Sequence, residues 1–226
     1  MKTLVVIKHR FFSIFLMLLP ILYLISCNKT DDQFYNYKQE IQSFDGTVLE
    51  YLESKTEYDS MLVAVNRIPG LRDSLVQDSL TVFAVDNASF ETVLNQLNTI
   101  RNLDVQEPLY LKDLDVATLD TLLSRYIFKG VYEPENISVN TGGLSIKSLK
   151  FDYNMFVEYD LLDASGFIDG GSQRLIFSDP NASLLRTKWI STYTRTLGES
   201  VNNGIVYPLI AGHSFGFDDF VFQFNK

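Results

Sequence analysis

Apolar positions recur at helical spacing through the first half of the mature part of the chain. Val48, Leu49 and Leu52 share one face of a short helix that follows "Phe44-Asp45-Gly46-Thr47", with Thr47 as its N-cap. Met61, Leu62, Val65 and Ile68 repeat at i, i+1, i+4 and i+7, and Pro69-Gly70 stops that helix. The unbroken run Thr81–Val85 reads as a buried strand, turning at Asp86-Asn87 into a helix carrying Phe90, Val93, Leu94 and Leu97. A further helix holds Val116, Leu119, Leu122, Leu123 and Tyr126, with Asp113 and Asp115 at its positive end. From Ile127 the period changes from helical to alternating. "Leu144-Ser145-Ile146-Lys147-Ser148-Leu149", Met155–Tyr159, Leu175–Phe177, Trp189–Tyr193, Ile205–Tyr207 and Phe220–Phe224 read as strands, separated by Gly- and Asp-rich turns. Helices first and strands later predict an α+β fold: an antiparallel β-sheet sandwich or wedge with several helices packed on one side.

The N-terminus has a different pattern. Lys2, Lys8 and Arg10 precede fifteen mostly bulky apolar residues, Phe11–Ile25, and then "Ser26-Cys27". As a helix that run rises about 22 Å, short of the roughly 30 Å hydrocarbon core, so it reads as a secretory signal peptide over residues 1–26 rather than a membrane span. "Leu24-Ile25-Ser26-Cys27" resembles a bacterial lipobox, which makes Cys27, the chain's only cysteine, the lipidated residue and the membrane attachment. Lys29, Asp31 and Asp32 directly after it resemble the export signal of Gram-negative lipoproteins displayed on the cell surface. Residues 27–42 then form a flexible tether, and 43–226 a single domain. The implied location is the outer membrane, lipid-anchored and facing the exterior.

Charge and side-chain chemistry narrow the function. Loss of the three basic leader residues from 19 Lys and Arg leaves 16 against 28 acids, a net charge of −12. That balance excludes nucleic acid as a partner, because phosphate backbones demand positive surface. His9 leaves with the leader, so His213 is the sole imidazole of the mature chain; Cys–His pairs and two-imidazole metal sites are excluded with it. His213 lies in "AGHSFGF", a Gly-bracketed turn, and reads as a partly exposed loop residue. The letters "GxSxG" occur at Gly212-His213-Ser214-Phe215-Gly216, inside that turn and with no predicted helix after it, so they are not read as a nucleophile elbow; the sequence contains no "GxxxxGK[ST]" and no "GxGxxG" after a strand. No cofactor or catalytic residue is called, and a carboxylate-based glycosidase survives only as a minor alternative.

Four stretches together resemble the fasciclin family: "FDGTVLEYLES" (44–54), "TVFAVDNASFETVL" (81–94), "LLSRYIFKG" (122–130) and "NNGIVYPLIAG" (202–212). They stand in the family's order and span roughly residues 43–218. The structural positions of the motifs are Thr81, Phe83, Asn87, Phe90, Tyr126, Gly130, Asn203 and Gly204. Asn203-Gly204 carries the chemistry of a tight turn with positive φ. The family's Tyr-His pair is replaced by Arg125 and Tyr126, whose hydroxyl stands in for the lost imidazole. The stretch 150–200 is longer than the resemblance accounts for and suggests an inserted hairpin.

The resemblance implies a fasciclin-like fold and a non-catalytic role in adhesion or in matrix and glycan association, here as an accessory to an outer-membrane glycan-uptake system. An envelope protein–protein interaction module without a glycan role is the alternative. "Phe151-Asp152-Tyr153-Asn154-Met155-Phe156-Val157-Glu158-Tyr159" interleaves aromatic and polar groups as sugar-stacking surfaces do, but reads first as a strand burying Phe151, Tyr153, Met155, Val157 and Tyr159 on one face. "Asp163-Ala164-Ser165-Gly166-Phe167-Ile168-Asp169" lacks the alternating acids of a calcium loop and reads as a turn.

Overall fold

The computed structural model describes residues 40–164, 168 and 171–226. Cys27, Lys29, Asp31 and Asp32, and with them the signal-peptide reading and the tether reading up to residue 39, lie outside the described residues, as does most of the 163–169 turn; Gln42, the last residue assigned to the tether, is instead paired opposite Glu199 in a strand. No helix among the described residues is long and apolar enough to cross a membrane.

In chain order the elements are β1 (Gln42–Ser43), α1 (Val48–Glu53), α2 (Asp59–Arg67), α3 (Leu71–Gln77), β2 (Leu80–Ala84), α4 (Asn87–Leu103), α5 (Val116–Leu123), β3 (Ile127–Lys129) and α6 (Pro134–Ser138). β4 (Leu144–Lys147), β5 (Asn154–Leu161), β6 (Gln173–Asp179), β7 (Ile190–Tyr193), β8 (Glu199–Val201), β9 (Gly204–Pro208) and α7 (Asp219–Phe224) complete them. This is an α+β fold with two sheets and several helices.

Local chemistry sets the helix starts. Thr47 and Glu50 form a reciprocal capping box, Thr47 N donating to Glu50 Oε2 at 2.7 Å, so that two otherwise orphaned donors of α1 are satisfied. Asp86 accepts from Ser89 N at 2.9 Å to start α4, and Asp115 accepts from Thr118 N at 2.8 Å to start α5.

The first sheet runs β1-β8-β9-β2-β3 and the second is the antiparallel meander β4-β5-β6-β7. The first departs from the all-antiparallel expectation: β2 pairs parallel to β9, Leu80 opposite Gly204 through Ala84 opposite Pro208, and β1 pairs parallel to β8. No hairpin links β2 to β9, so direction is free, and β2 is buried at every position, the state in which parallel strands read as unbroken apolar runs. Single bridges, Phe128–Ser148 and Thr194–Leu209, join the sheets at either side. Between them Phe83 of the first sheet stacks on Phe177 of the second at 3.9 Å, flanked by Phe128 and Tyr207. α1 lies against β2 and β9.

The C-terminal segment corrects a second expectation. Phe220–Phe224 is the helix α7, not a strand. An alternating strand would place Phe220, Phe222 and Phe224 on one face. Instead Phe220 and Phe224 are buried at helical i, i+4 spacing while Phe222 is 73% exposed. Phe220 and Phe224 fit either period; only Phe222 tells them apart. α3 and α6, short helices that the apolar spacing did not announce, add Leu71, Leu75 and Ile137 to the core.

Phe83 and Phe90 are both fully buried. Phe90 packs 4.3 Å from Phe215, which ties α4 to the segment leading into α7. Phe90→Ala should therefore cost about 3 kcal/mol, read as a lowered denaturant midpoint at unchanged slope.

Candidate functional site

The motif residues form structural joints rather than one constellation. Thr81 Oγ1 donates to Gly130 O at 2.9 Å and accepts from Tyr132 N at 2.9 Å, stitching β2 to the end of β3. Asn87 accepts from Ser60 N and donates to Thr56 O, fixing the start of α4 against α2. Asn203 accepts from Val48 N at 2.8 Å and donates to Leu75 O, Val76 O and Asp78 O, serving the start of α1 and the end of α3 together. Neither Asn203 nor Gly204 has a positive φ, which corrects the turn chemistry expected of them. Gly204 is required for another reason: a Cβ there would lie 1.9 Å from Leu80 O, across the β2–β9 ladder.

His213 also differs from its expectation as a partly exposed residue. It is 6% exposed, packed against Phe217 and Tyr126, with Nε2 2.7 Å from the Tyr126 hydroxyl. That hydroxyl also accepts from Gly216 N at 2.8 Å, so it joins His213 to the turn that leads into α7. Burial pushes the His213 pKa down to about 3. A locked, neutral imidazole hydrogen-bonded to a buried phenol does not shuttle protons near neutral pH. In the unfolded chain it takes up a proton near pH 6.5, whereas the folded protein resists until about pH 3. Stability thus rises with pH across that window, by about 1.4 kcal/mol per unit from this residue. Wild type should lose about 2–3 kcal/mol more than His213→Gln between pH 6.5 and 4.5, measured by urea unfolding at each pH.

Arg125 is the only buried lysine or arginine among the described residues. Its Nη1 lies 2.9 Å from Asp179 Oδ2 and 2.8 Å from Asp219 Oδ2, and its guanidinium sits 4.4 Å over the Tyr153 ring. The other Asp179 oxygen accepts from Tyr153 OH at 2.6 Å and Asn181 N at 2.7 Å. Both oxygens of this buried carboxylate are engaged within the protein, which leaves it poorly placed to act on a glycosidic bond. No three or more His, Cys, Asp or Glu side chains group as metal ligands among the described residues.

The second sheet turns a different surface outward. In β5 the buried face holds Met155 and Val157, with Tyr153 and Tyr159 half-buried; Phe151 departs from that face, 60% exposed at the hairpin tip with φ +67°. The opposite face carries Phe156, Glu158 and Asp160. Register extends it into rows: Ser145, Phe156, Ser178 and Ser191; then Glu158, Ile176 and Tyr193; then Asp160 and Arg174. Trp189, just before β7, packs 4.8 Å from Phe156 and is oriented by its Nε1–H bond to Ser183 O at 2.8 Å. Arg186 lies 4.9 Å over Phe156 and 5.1 Å over Trp189, held by Glu158 and Gly142 O. Arg174 lies 3.8 Å over Tyr193 and bonds Asp160 at 2.7 Å. Two arginines thus cap three partly exposed rings, their charges matched by two carboxylates, beside the exposed Ser145 and Ser191; Ser178 between them is buried and bonded to Ser191 at 2.8 Å. Alternation identifies two faces, and the turned-out one becomes a surface only when register brings Trp189 and Tyr193 beside Phe156.

No family model matches the sequence, and no curated protein matches it. Among solved structures the chain is similar to a FAS1 domain pair from the insect cell adhesion molecule fasciclin I, at 13% identity and a TM-score of 0.47, over 73% of this chain and 49% of that one. The chain spans about half the length of that structure.

Proposed function

We propose that this protein is a non-catalytic, lipid-anchored module of the cell surface that associates with extracellular glycan through the outer face of its second sheet. The observation that carries this reading is the pair of arginine-capped stacks, Phe156–Trp189–Arg186 and Tyr193–Arg174, beside the exposed Ser145 and Ser191. Flat rings and guanidinium planes offer stacking area to the C–H face of a sugar, while serines and carboxylates offer hydrogen bonds to its hydroxyls. The ordered fasciclin-like motifs and the locked His213 support a binding role over a catalytic one. A protein partner is the second reading, favoured by Leu184 and Leu185, 99% and 64% exposed in the loop beside this face.

Retention on a panel of immobilised polysaccharides tests the contact. At least one should retain the protein, and Trp189→Ala with Tyr193→Ala should weaken retention tenfold or more. Equal retention of the variant would overturn the assigned face, and retention by none would favour the protein-partner reading. The anchoring half is tested separately: Cys27→Ala should abolish lipid labelling, and replacing Lys29, Asp31 and Asp32 with Ala should protect the domain from protease on intact cells.

A further inference from the structure

A second candidate binding feature lies away from the outer sheet face and shares no residue with it. A cleft of about 210 Å³ opens between α5 and α7, lined by Ala117, Thr118, Thr121, Leu122, Arg125 and Gln223. That is room for about seven waters, the scale of one sugar ring rather than of a polymer. Arg125 lines this cleft, and its Nε–H is buried without any hydrogen-bond partner. Native structures rarely leave such a donor unmade, and an unsatisfied one in the wall of a cleft points to a ligand or water that completes it.

The surroundings select the ligand's charge. One guanidinium is shared by Asp179 and Asp219, so the cluster carries a net charge of −1 and repels a carboxylate or phosphate. Two other cations of this region are already engaged, Lys150 with Asp120 at 2.9 Å and Lys226 with Gln223 Oε1 at 3.1 Å. Asp219 pairs with Arg125 Nη1 and keeps about a third of its side chain exposed, so a hydrogen-bond acceptor stands at another nitrogen of the same guanidinium. Its place is set by the turn before α7, where Phe217 and Asp218 both adopt positive φ, a conformation non-glycine residues hold only when their surroundings impose it. A hydroxyl is the neutral group that accepts from a guanidinium and donates to a carboxylate at once. Thr121 and Thr118 spend their hydroxyl protons on Ala117 O and Asp115, which leaves their oxygens as acceptors, and Ala117 and Leu122 supply an apolar wall.

We propose that the α5–α7 cleft binds a single neutral sugar unit, such as a glycan chain end, with hydroxyls bridging Arg125 and Asp219. This rests on the glycan reading for the source of the ligand and places a second contact for it, distinct from the stacking face.

The intact protein, isotope-labelled, is titrated with methyl glucoside, methyl galactoside, methyl mannoside and N-acetylglucosamine, with methyl glucuronide as the charged control. At least one neutral sugar should give saturable shifts at Thr118, Thr121 and the Arg125 Nε–H signal. Thr121→Trp, a substitution at the exposed rim that leaves the ion pairs intact, should weaken that binding at least tenfold, and the glucuronide should bind at least tenfold more weakly. No saturation by tens of millimolar, shifts only outside the cleft, or equal binding of the glucuronide would each overturn the proposal. Polymer retention that survives Thr121→Trp but falls with Trp189→Ala separates failure of this site from failure of the sheet face.

Discussion

Gly204→Ala is expected to cost about 5 kcal/mol or more, enough to leave little folded protein of an ordinary domain's stability. The cause is a backbone collision. The added methyl would sit 1.9 Å from Leu80 O, and the nearest atoms are all main chain of the neighbouring strand, which no rotamer change moves. Relief requires β9 to part from β2, breaking the parallel ladder at the centre of the first sheet. Gly130→Ala is the control. Gly130 holds φ +93° with nothing within 4 Å of a built Cβ, so the change costs only conformational strain, about 1–2 kcal/mol. Chemical denaturation of the two variants should show that gap; similar costs would mean that Gly204 is a turn glycine after all.

Arg125→Ala should cost about 3–5 kcal/mol, because it leaves Asp179 charged, 2% exposed and without its cation. Tyr153 and Asn181 still donate to its other oxygen, but neutral donors do not offset the lost guanidinium. Asp179→Asn in the same background should return part of the loss by removing the charge, while Asp179→Asn alone should be destabilising. A double-mutant cycle read by urea unfolding measures the coupling, and additive losses would show that Arg125 and Asp219 alone carry the cluster.

The parts of the fold that were legible in the sequence are the local ones. Thr47 and Asp115 were readable as helix starts because a cap needs only the next three residues. The run Thr81–Val85 was readable as buried because its apolar side chains leave no polar face. The partner of that strand was not readable, since β9 lies far along the chain and no hairpin fixes its direction. His213 reads as a surface turn residue because its burial depends on Tyr126, 87 residues away, and on the turn that folds Phe217 back against it. The C-terminal phenylalanines satisfied two periods at once, and only the packing of α7 chose between them. The candidate face shows the same limit: Phe156, Trp189 and Tyr193 were visible as aromatics, but their common surface exists only in the register of β5, β6 and β7. Nothing in the sequence marks the two carboxylates that Arg125 meets.

Trp189 is the chain's only tryptophan and sits within the face assigned to glycan, which makes its emission a reporter of that face alone. The intact protein should be titrated with a soluble form of the polysaccharide that retains it, following fluorescence and co-sedimentation together. The account predicts a saturable change in Trp189 emission that tracks binding and weakens at least tenfold in Arg186→Ala. Binding by sedimentation with Trp189 emission unchanged would contradict it.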